Sequence, residues 1–154
     1  MRSRCRSTLG RFDAATLIHV GMNIGNKAGV FTEIGRVLKP GGRFGIYDIM
    51  RMGEGELPYP MPWAATPDTS FVEPPESYRR ALAHAGFEIE KEQSRRDLAL
   101  TLGREMRGNV EKSVAPRMGL HLLMGSGGQE RLGNVMMTLE RGVIAPIEII
   151  ARRL

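Results

Sequence analysis

Residues 12–48 read FDAATLIHVGMNIGNKAGVFTEIGRVLKPGGRFGIYD, and this stretch decides the fold. The apolar run at 14–20 predicts a buried parallel strand. Apolar side chains then recur at helical spacing over 30–38, which predicts an amphipathic helix. The sequence Lys-Pro-Gly-Gly at 39–42 ends that helix, because proline cannot continue it and paired glycines can adopt positive φ. Residues 43–49 predict a second strand, so the stretch forms a right-handed βαβ unit in a parallel sheet.

The remaining chain continues the alternation of strands and helices. Residues 51–75 hold six prolines and predict a long loop, since prolines at this density forbid regular helix and central strand. A helix follows from the prolines to about residue 85, and the alternating segment 87–93 predicts an outer strand. Residues 95–141 are predominantly helical in pattern. The β-branched segment 143–154 predicts a last strand, in which Pro146 indicates a bulge or an edge.

Several of these segments resemble one enzyme family. RVLKPGGRFGIYD resembles the helix, turn and fifth strand of class I S-adenosylmethionine-dependent methyltransferases, above all the branch that includes the ubiquinone/menaquinone-biosynthesis and glycine/sarcosine enzymes. FDAATLIHVGMNI resembles the fourth strand of that branch and its following loop. Residues 60–90 resemble its substrate-side loop, next helix and sixth strand.

The resemblance implies an α/β fold with a partial Rossmann-like sheet. We expect about four strands, ordered as the family's fourth, fifth, seventh and sixth, with helices packed on them. The last strand should be antiparallel, and a helical insertion should precede it.

The family's main cofactor-binding elements have no counterpart before Phe12. They are a glycine-rich loop after the first strand and an acidic residue after the second, whereas only MRSRCRSTLGR stands here. We therefore expect one truncated methyltransferase-like domain over 12–154, the C-terminal half of the fold. A basic arm at 1–11 should precede it and be disordered.

The loop after the first predicted strand is the candidate cofactor site, because ligands of open α/β sheets bind at the carboxyl ends of strands. By resemblance, Ile18, His19 and Val20 contact S-adenosylmethionine, and Met22 and Asn23 face the reaction centre as substrate-binding residues. His19 is the candidate catalytic base, since the pKa of an ordinary imidazole is about 6.5. Alternatively, it only hydrogen-bonds a loop carbonyl, because methyl transfer from a sulfonium often needs no strong base.

Two further residues are candidates for substrate binding. Asp48 ends the second predicted strand, where its carboxylate could orient a substrate amine or hydroxyl. Capping of a neighbouring turn is the favoured alternative. Trp63, the only tryptophan, lies in the long loop that covers the substrate pocket in the resembling family. It either anchors the pocket wall or simply pins the loop to the core.

Metal and phosphate sites are not indicated by the sequence. Three histidines scattered far apart and one cysteine give no metal-ligand spacing. The sequence Gly-Ser-Gly-Gly at 125–128 lacks both a preceding strand and a following Gly-Lys-Ser/Thr, so it indicates a helix break rather than a phosphate loop.

Composition limits the remaining function classes. No apolar run is long enough for a membrane span, and a single cysteine is typical of a reducing cytoplasm. The net charge of +5 invites a nucleic-acid interpretation, but dense arginines occur only in the arm at 1–11, and elsewhere acidic residues lie close by. A solvated surface is therefore the favoured interpretation.

The functional expectation is an S-adenosylmethionine-dependent methyltransferase-like protein acting on a small-molecule methyl acceptor. Without a glycine-rich cofactor loop, the chain should be inactive alone or depend on association. The alternative is a non-catalytic dimeric fragment that binds a ligand or partner. The apolar first strand would form an open sheet edge, which predicts a homo-oligomer or pairing with a separate N-terminal half.

Overall fold

The structure, a computed structural model, describes residues 9–111 and 127–154. Residues 1–8 of the arm predicted at 1–11, and residues 112–126 of the helical region predicted at 95–141, lie outside the described residues. The elements are β1 (Phe12–Ile18), α1 (Lys27–Val37), β2 (Leu38–Arg51), α2 (Pro75–His84), β3 (Phe87–Ser94), α3 (Arg96–Glu111), α4 (Gly128–Glu140) and β4 (Ile144–Arg153). Short 3-10 turns occur at Gly21–Asn23 and Pro67–Thr69.

One mixed sheet of four strands organises the described chain, in the order β1-β2-β4-β3. β1 runs parallel to β2, whereas β4 lies antiparallel to both β2 and β3. This confirms the predicted α/β class, the strand order and the antiparallel last strand inserted between its neighbours.

The turn predicted at residues 39–42 is instead an irregular part of β2. Phe12 pairs with Leu38 and Ala14 with Arg43, so β2 advances five residues where β1 advances two. Gly41 accommodates this bulge with a φ of 80°. The helix before it begins at the cap Asn26, whose side chain accepts a hydrogen bond from the Gly29 N–H at 2.9 Å.

The two faces of the sheet carry separate apolar clusters, because alternate residues of a strand point to opposite faces. On one face, Phe44 and Ile46 pack with side chains of α1 and α2. On the other face, Ile49 and Ile144 pack with side chains of α3 and α4. The second cluster also includes Met22, which places the loop after β1 beside it.

β1 is parallel as predicted, but it is not buried. Leu17 is its one buried residue, whereas Ile18 is 58% exposed and Phe12 is 46% exposed. Within the described ranges only β2 pairs with β1, so the other edge of β1 forms no hydrogen-bonded ladder with a described strand. The buried strand expected from the apolar run was wrong, because apolar composition alone does not tell an edge strand from a central one. The open sheet edge expected from the family resemblance is what the described strands show.

The loop between β2 and α2 is long, as predicted, and packed. Met61 is fully buried and Ala64 is 4% exposed, and the Tyr59–Pro60 peptide bond is cis. Of the bulge or edge predicted at Pro146, the bulge is absent, because Pro146 pairs with Ile49 in unbroken register. The β3–β4 ladder ends at Ile147, so Pro146 has a ladder partner on the β2 side alone among the described strands. In the described residues, no helix is long and apolar enough to cross a membrane.

Candidate functional site

The β1–β2 pairing ends at Ile18 and Tyr47, so His19 and Asp48 each follow the last paired residue, at the same end of β1. Asp48 does not end β2 as predicted, because β2 continues to Arg51 along β4. Ile18 pairs with Tyr47, and the His19 N–H donates to the Tyr47 carbonyl at 2.8 Å. The His19 ring meets the Tyr47 ring edge-on, with centroids 5.0 Å apart. His19 has a φ of 51°, a left-handed conformation that non-glycine residues rarely adopt and that is frequent at functional sites.

The electrostatics of His19 favour a neutral imidazole. The side chain is exposed, yet desolvation by the surrounding protein lowers its pKa, while the negative charge of Asp48 acts in the opposite direction. A neutral imidazole can accept a proton, as a general base must. The arrangement is therefore compatible with the predicted role of His19, which stays a prediction.

Asp48 lies fully buried beneath the loop after β1. The Tyr78 hydroxyl donates to Asp48 Oδ2 at 2.6 Å, and the Ile49 N–H donates to Asp48 Oδ1 at 3.1 Å. Gly21 covers this pair so closely that a Cβ added there would lie 2.0 Å from Asp48 Oδ2. A carboxylate in this position supports the loop, and Gly21 is the residue type that allows the approach.

Burial determines the ionisation of this pair. Desolvation raises the pKa of Asp48, although the hydrogen bonds from Tyr78 and Ile49 and the charges of His19 and Lys27 oppose the rise. Burial, together with the adjacent Asp48, raises the pKa of Tyr78 far above its usual range. Tyr78 therefore remains a protonated donor to the Asp48 carboxyl group.

Lys27 and Tyr78 belong to this region and were missed by the sequence interpretation. Lys27 is 4% exposed, and its ammonium lies 5.5 Å from the Tyr78 ring centroid. One sequence signal pointed to it: Lys27 opens α1, where the helix dipole disfavours a cation, and it shares the buried face with Phe31 four residues later.

The long loop reaches the same region through Trp63. The Trp63 Nε1–H donates to Ser70 Oγ at 3.0 Å, and its ring packs against the second apolar cluster. Met22 belongs to that cluster and is 2% exposed, while the Phe71 N–H donates to the Met22 carbonyl at 2.8 Å. The fold thus brings Met22 and Trp63 into one cluster.

The predicted site residues therefore fall into two groups. The first group is exposed at the carboxyl end of β1 and in its loop: Ile18, His19, Val20 and Asn23. The second group is buried or partly buried behind them: Met22, Asp48 and Trp63. Only the first group is open to a ligand in this conformation, and the second shapes the wall behind it.

Two further observations concern ligands. A shallow groove of about 270 Å³ lies between the start of α1 and α2, and none of the predicted site residues lines it. Among the described residues, no group of three His, Cys, Asp or Glu side chains could hold a metal ion.

No protein-family model matches the chain, and no curated protein matches its sequence. Among solved structures, the [4+2]-cyclase SpnF is similar with a TM-score of 0.65 and 18% identity, over 97% of this chain and 52% of SpnF.

Two methyltransferases are similar in the same way. Geranyl diphosphate C-methyltransferase from Streptomyces coelicolor A3(2), solved with S-adenosyl-L-homocysteine, gives a TM-score of 0.70 and 16% identity, over 97% of this chain and 51% of that one. Phosphoethanolamine N-methyltransferase 2 from Haemonchus contortus, solved with S-adenosyl-L-methionine, gives a TM-score of 0.70 and 16% identity. The match covers 92% of this chain and 33% of that one.

The chain has the fold of part of a class I methyltransferase. This methyltransferase-like chain spans about half the length of the SpnF and geranyl diphosphate methyltransferase chains. The TM-scores establish the fold. Because the sequence identities are below one fifth, the chemistry must be argued from the site itself.

Proposed function

We propose that the methyltransferase-like chain forms the acceptor side of an S-adenosylmethionine-dependent methyltransferase that acts on a small molecule. The observation that carries the proposal is the loop after β1, fixed on the buried Asp48–Tyr78 pair with His19 in a left-handed conformation. A loop held this way at the carboxyl ends of two parallel strands presents preorganised groups to a ligand.

The residues present fit one end of the cofactor. Ile18, the last residue of β1, and Val20, two residues later, expose apolar side chains on either side of the polar His19. These three side chains would contact the methionine end of the cofactor. Asp48 cannot bind the ribose hydroxyls in this conformation, because it is fully buried and hydrogen-bonded to Tyr78. The remaining cofactor contacts must come from another polypeptide segment.

When bound, S-adenosylmethionine supplies an electrophilic methyl group on a sulfonium. Methyl transfer then depends chiefly on holding the acceptor in line with that group. We assign acceptor contact to the exposed Asn23, while Met22 and Trp63 shape the wall behind it. His19 takes a proton from an acceptor that must lose one, because its imidazole is held neutral and exposed.

Association is part of this proposal. The apolar edge of β1 carries no ladder among the described strands, and the similar solved chains are about twice as long. We propose that a separate N-terminal half, or a second copy of this chain, pairs with that edge.

A single cysteine in 154 residues supports a reducing compartment such as the cytoplasm.

A non-catalytic fragment that binds a ligand or partner is the second candidate function. One specific observation favours it: Asp48 is fully buried and hydrogen-bonded to Tyr78 and Ile49, so this carboxylate is not open to a cofactor. The similarity to SpnF, a [4+2]-cyclase, also indicates that this fold accommodates reactions other than methyl transfer.

Calorimetric titration with S-adenosylmethionine and S-adenosylhomocysteine tests the proposal, with the mass in solution measured on the same sample. We expect micromolar binding by the associated form and weaker binding by Val20→Lys, which places a charge beside His19. Gln93→Lys, an exposed change on β3, is the matched control and should bind like the wild type. Absence of binding up to millimolar ligand would favour the non-catalytic fragment.

A further inference from the structure

Lys27 joins two segments that are separate along the chain, the loop after β1 and residues 71–73. Its ammonium donates to the Ile24 carbonyl at 3.0 Å, to the Phe71 carbonyl at 2.6 Å and to Glu73 Oε1 at 3.1 Å. An ammonium has three N–H donors, and these three acceptors use all of them. The charge is therefore buried with its hydrogen-bonding capacity satisfied.

The same two segments meet at further contacts. The Phe71 N–H donates to the Met22 carbonyl, and the Phe71 ring lies against Gly25, where an added Cβ would be 3.2 Å from the ring. The Arg51 N–H donates to the Glu73 carbonyl at 3.0 Å. Residues 71–73 thus form a strap that holds the end of the long loop against the loop after β1.

The strap connects to the wall of the candidate site. Val72 lies in the strap, and it packs against the same apolar cluster as Trp63. Ser70, which accepts the Trp63 indole hydrogen bond, directly precedes the strap. Displacement of residues 71–73 would therefore move the groups that hold Trp63 in place.

We propose that Lys27 is a positioning residue that fixes the long loop at 52–74 so that Trp63 stays in the wall of the methyl-acceptor site. Its place in an acceptor site rests on the proposed function, whereas the coupling between Lys27 and Trp63 rests on contacts alone. Arginine cannot replace Lys27 fully, because its planar fork does not match three acceptors arranged around one nitrogen.

The single tryptophan makes the coupling measurable. Acrylamide quenching of Trp63 fluorescence, measured under conditions where the protein is folded, reports how freely solvent reaches the loop. For Lys27→Met we expect the quenching constant to at least double and chymotryptic cleavage after Phe71 to accelerate. Lys27→Arg should restore part of the protection.

Two controls separate loop positioning from general stability. Leu82→Ala removes a fully buried core side chain of α2 and lowers stability, but it should leave Trp63 quenching as in the wild type. Lys39→Met removes an exposed lysine whose ion-pair partner among the described residues is Asp13. This change should alter neither the stability nor the quenching of Trp63. If Lys27→Met raises quenching no more than Leu82→Ala does, the proposal is overturned.

A second variant covers the case in which Lys27→Met fails to fold. Glu73→Ala removes both the charge and the Oε1 acceptor at a side chain that is 35% exposed, so the fold should tolerate it. We expect a smaller rise in quenching, and wild-type quenching would contradict the proposal. Loosening of Trp63 in a chain that binds no cofactor would uphold the positioning role and refute the proposed function. Cofactor binding with unchanged quenching would refute the positioning role alone.

Discussion

Gly21 sets the position of the loop after β1. Its backbone lies against the Asp48 carboxylate and the Tyr78 hydroxyl, at distances that leave no room for a side chain. The constraint is steric rather than conformational, since Gly21 is not among the residues with positive φ. The loop, Asp48 and Tyr78 therefore form one packed unit beneath the candidate site.

Gly21→Ala should destabilise this unit. The added methyl group must displace Asp48 or Tyr78, and overpacking of this kind costs about 1–3 kcal/mol of unfolding free energy. Gly133→Ala is the control, because Gly133 is exposed in α4 and an added Cβ there meets nothing within 4 Å. Urea unfolding of both variants is the measurement. Equal stability of the two would contradict the packing described here.

His19 should make stability depend on pH. Its pKa is lowered in the folded chain from the unfolded value of 6.5, so the unfolded chain binds more protons just below that pH. The contribution of His19 to the free energy of unfolding is thus fully present above pH 6.5 and is lost as the pH falls below that value.

Asparagine tolerates a left-handed backbone, so His19→Asn should retain the loop and remove this component of the pH dependence. Urea titrations on either side of pH 6.5 would measure the difference. An identical slope of stability against pH in both proteins would argue against a lowered pKa for His19.

Among the helices and strands, hydrophobic periodicity predicted those whose pattern of apolar residues is set within the segment itself. The helical spacing after residue 30 indicated α1, and the alternation in FEIEKEQ indicated β3. The sequence Lys-Pro-Gly-Gly predicts a turn but forms a bulge in β2, because the same residue types favour both structures. The exposure of β1 depends on which strands pair beside it, so it followed from the family resemblance and not from the local pattern.

β1 should mediate association through its open edge. A lysine placed there disfavours pairing with another strand, so Thr16→Lys should lower the associated fraction at tens of micromolar. Gln93→Lys adds the same charge to β3 and should leave association unchanged. Sedimentation of the wild type and both variants is the measurement. A wild-type chain that sediments only as a monomer would refute the role of this edge.

At the scale of the whole molecule, the family resemblance predicted the topology well and the site only in outline. It placed His19 and Asp48 at the same end of the sheet, where the strand pairing brings them together. It could not show that Asp48 is sealed beneath Gly21, or that Lys27 joins two loops, because both depend on contacts between segments distant in sequence.

The two edges of the sheet differ in chemistry, and the difference limits the size of any assembly. β3 carries Glu88, Glu90, Lys91 and Glu92 at the edge opposite to β1, and ion pairs such as Arg79–Glu92 add further charge. Charged edge strands resist pairing with another chain. If a copy or partner docks on β1, the described strands leave no uncharged second edge, so we expect growth to stop after one addition and to give closed pairs rather than open-ended fibres.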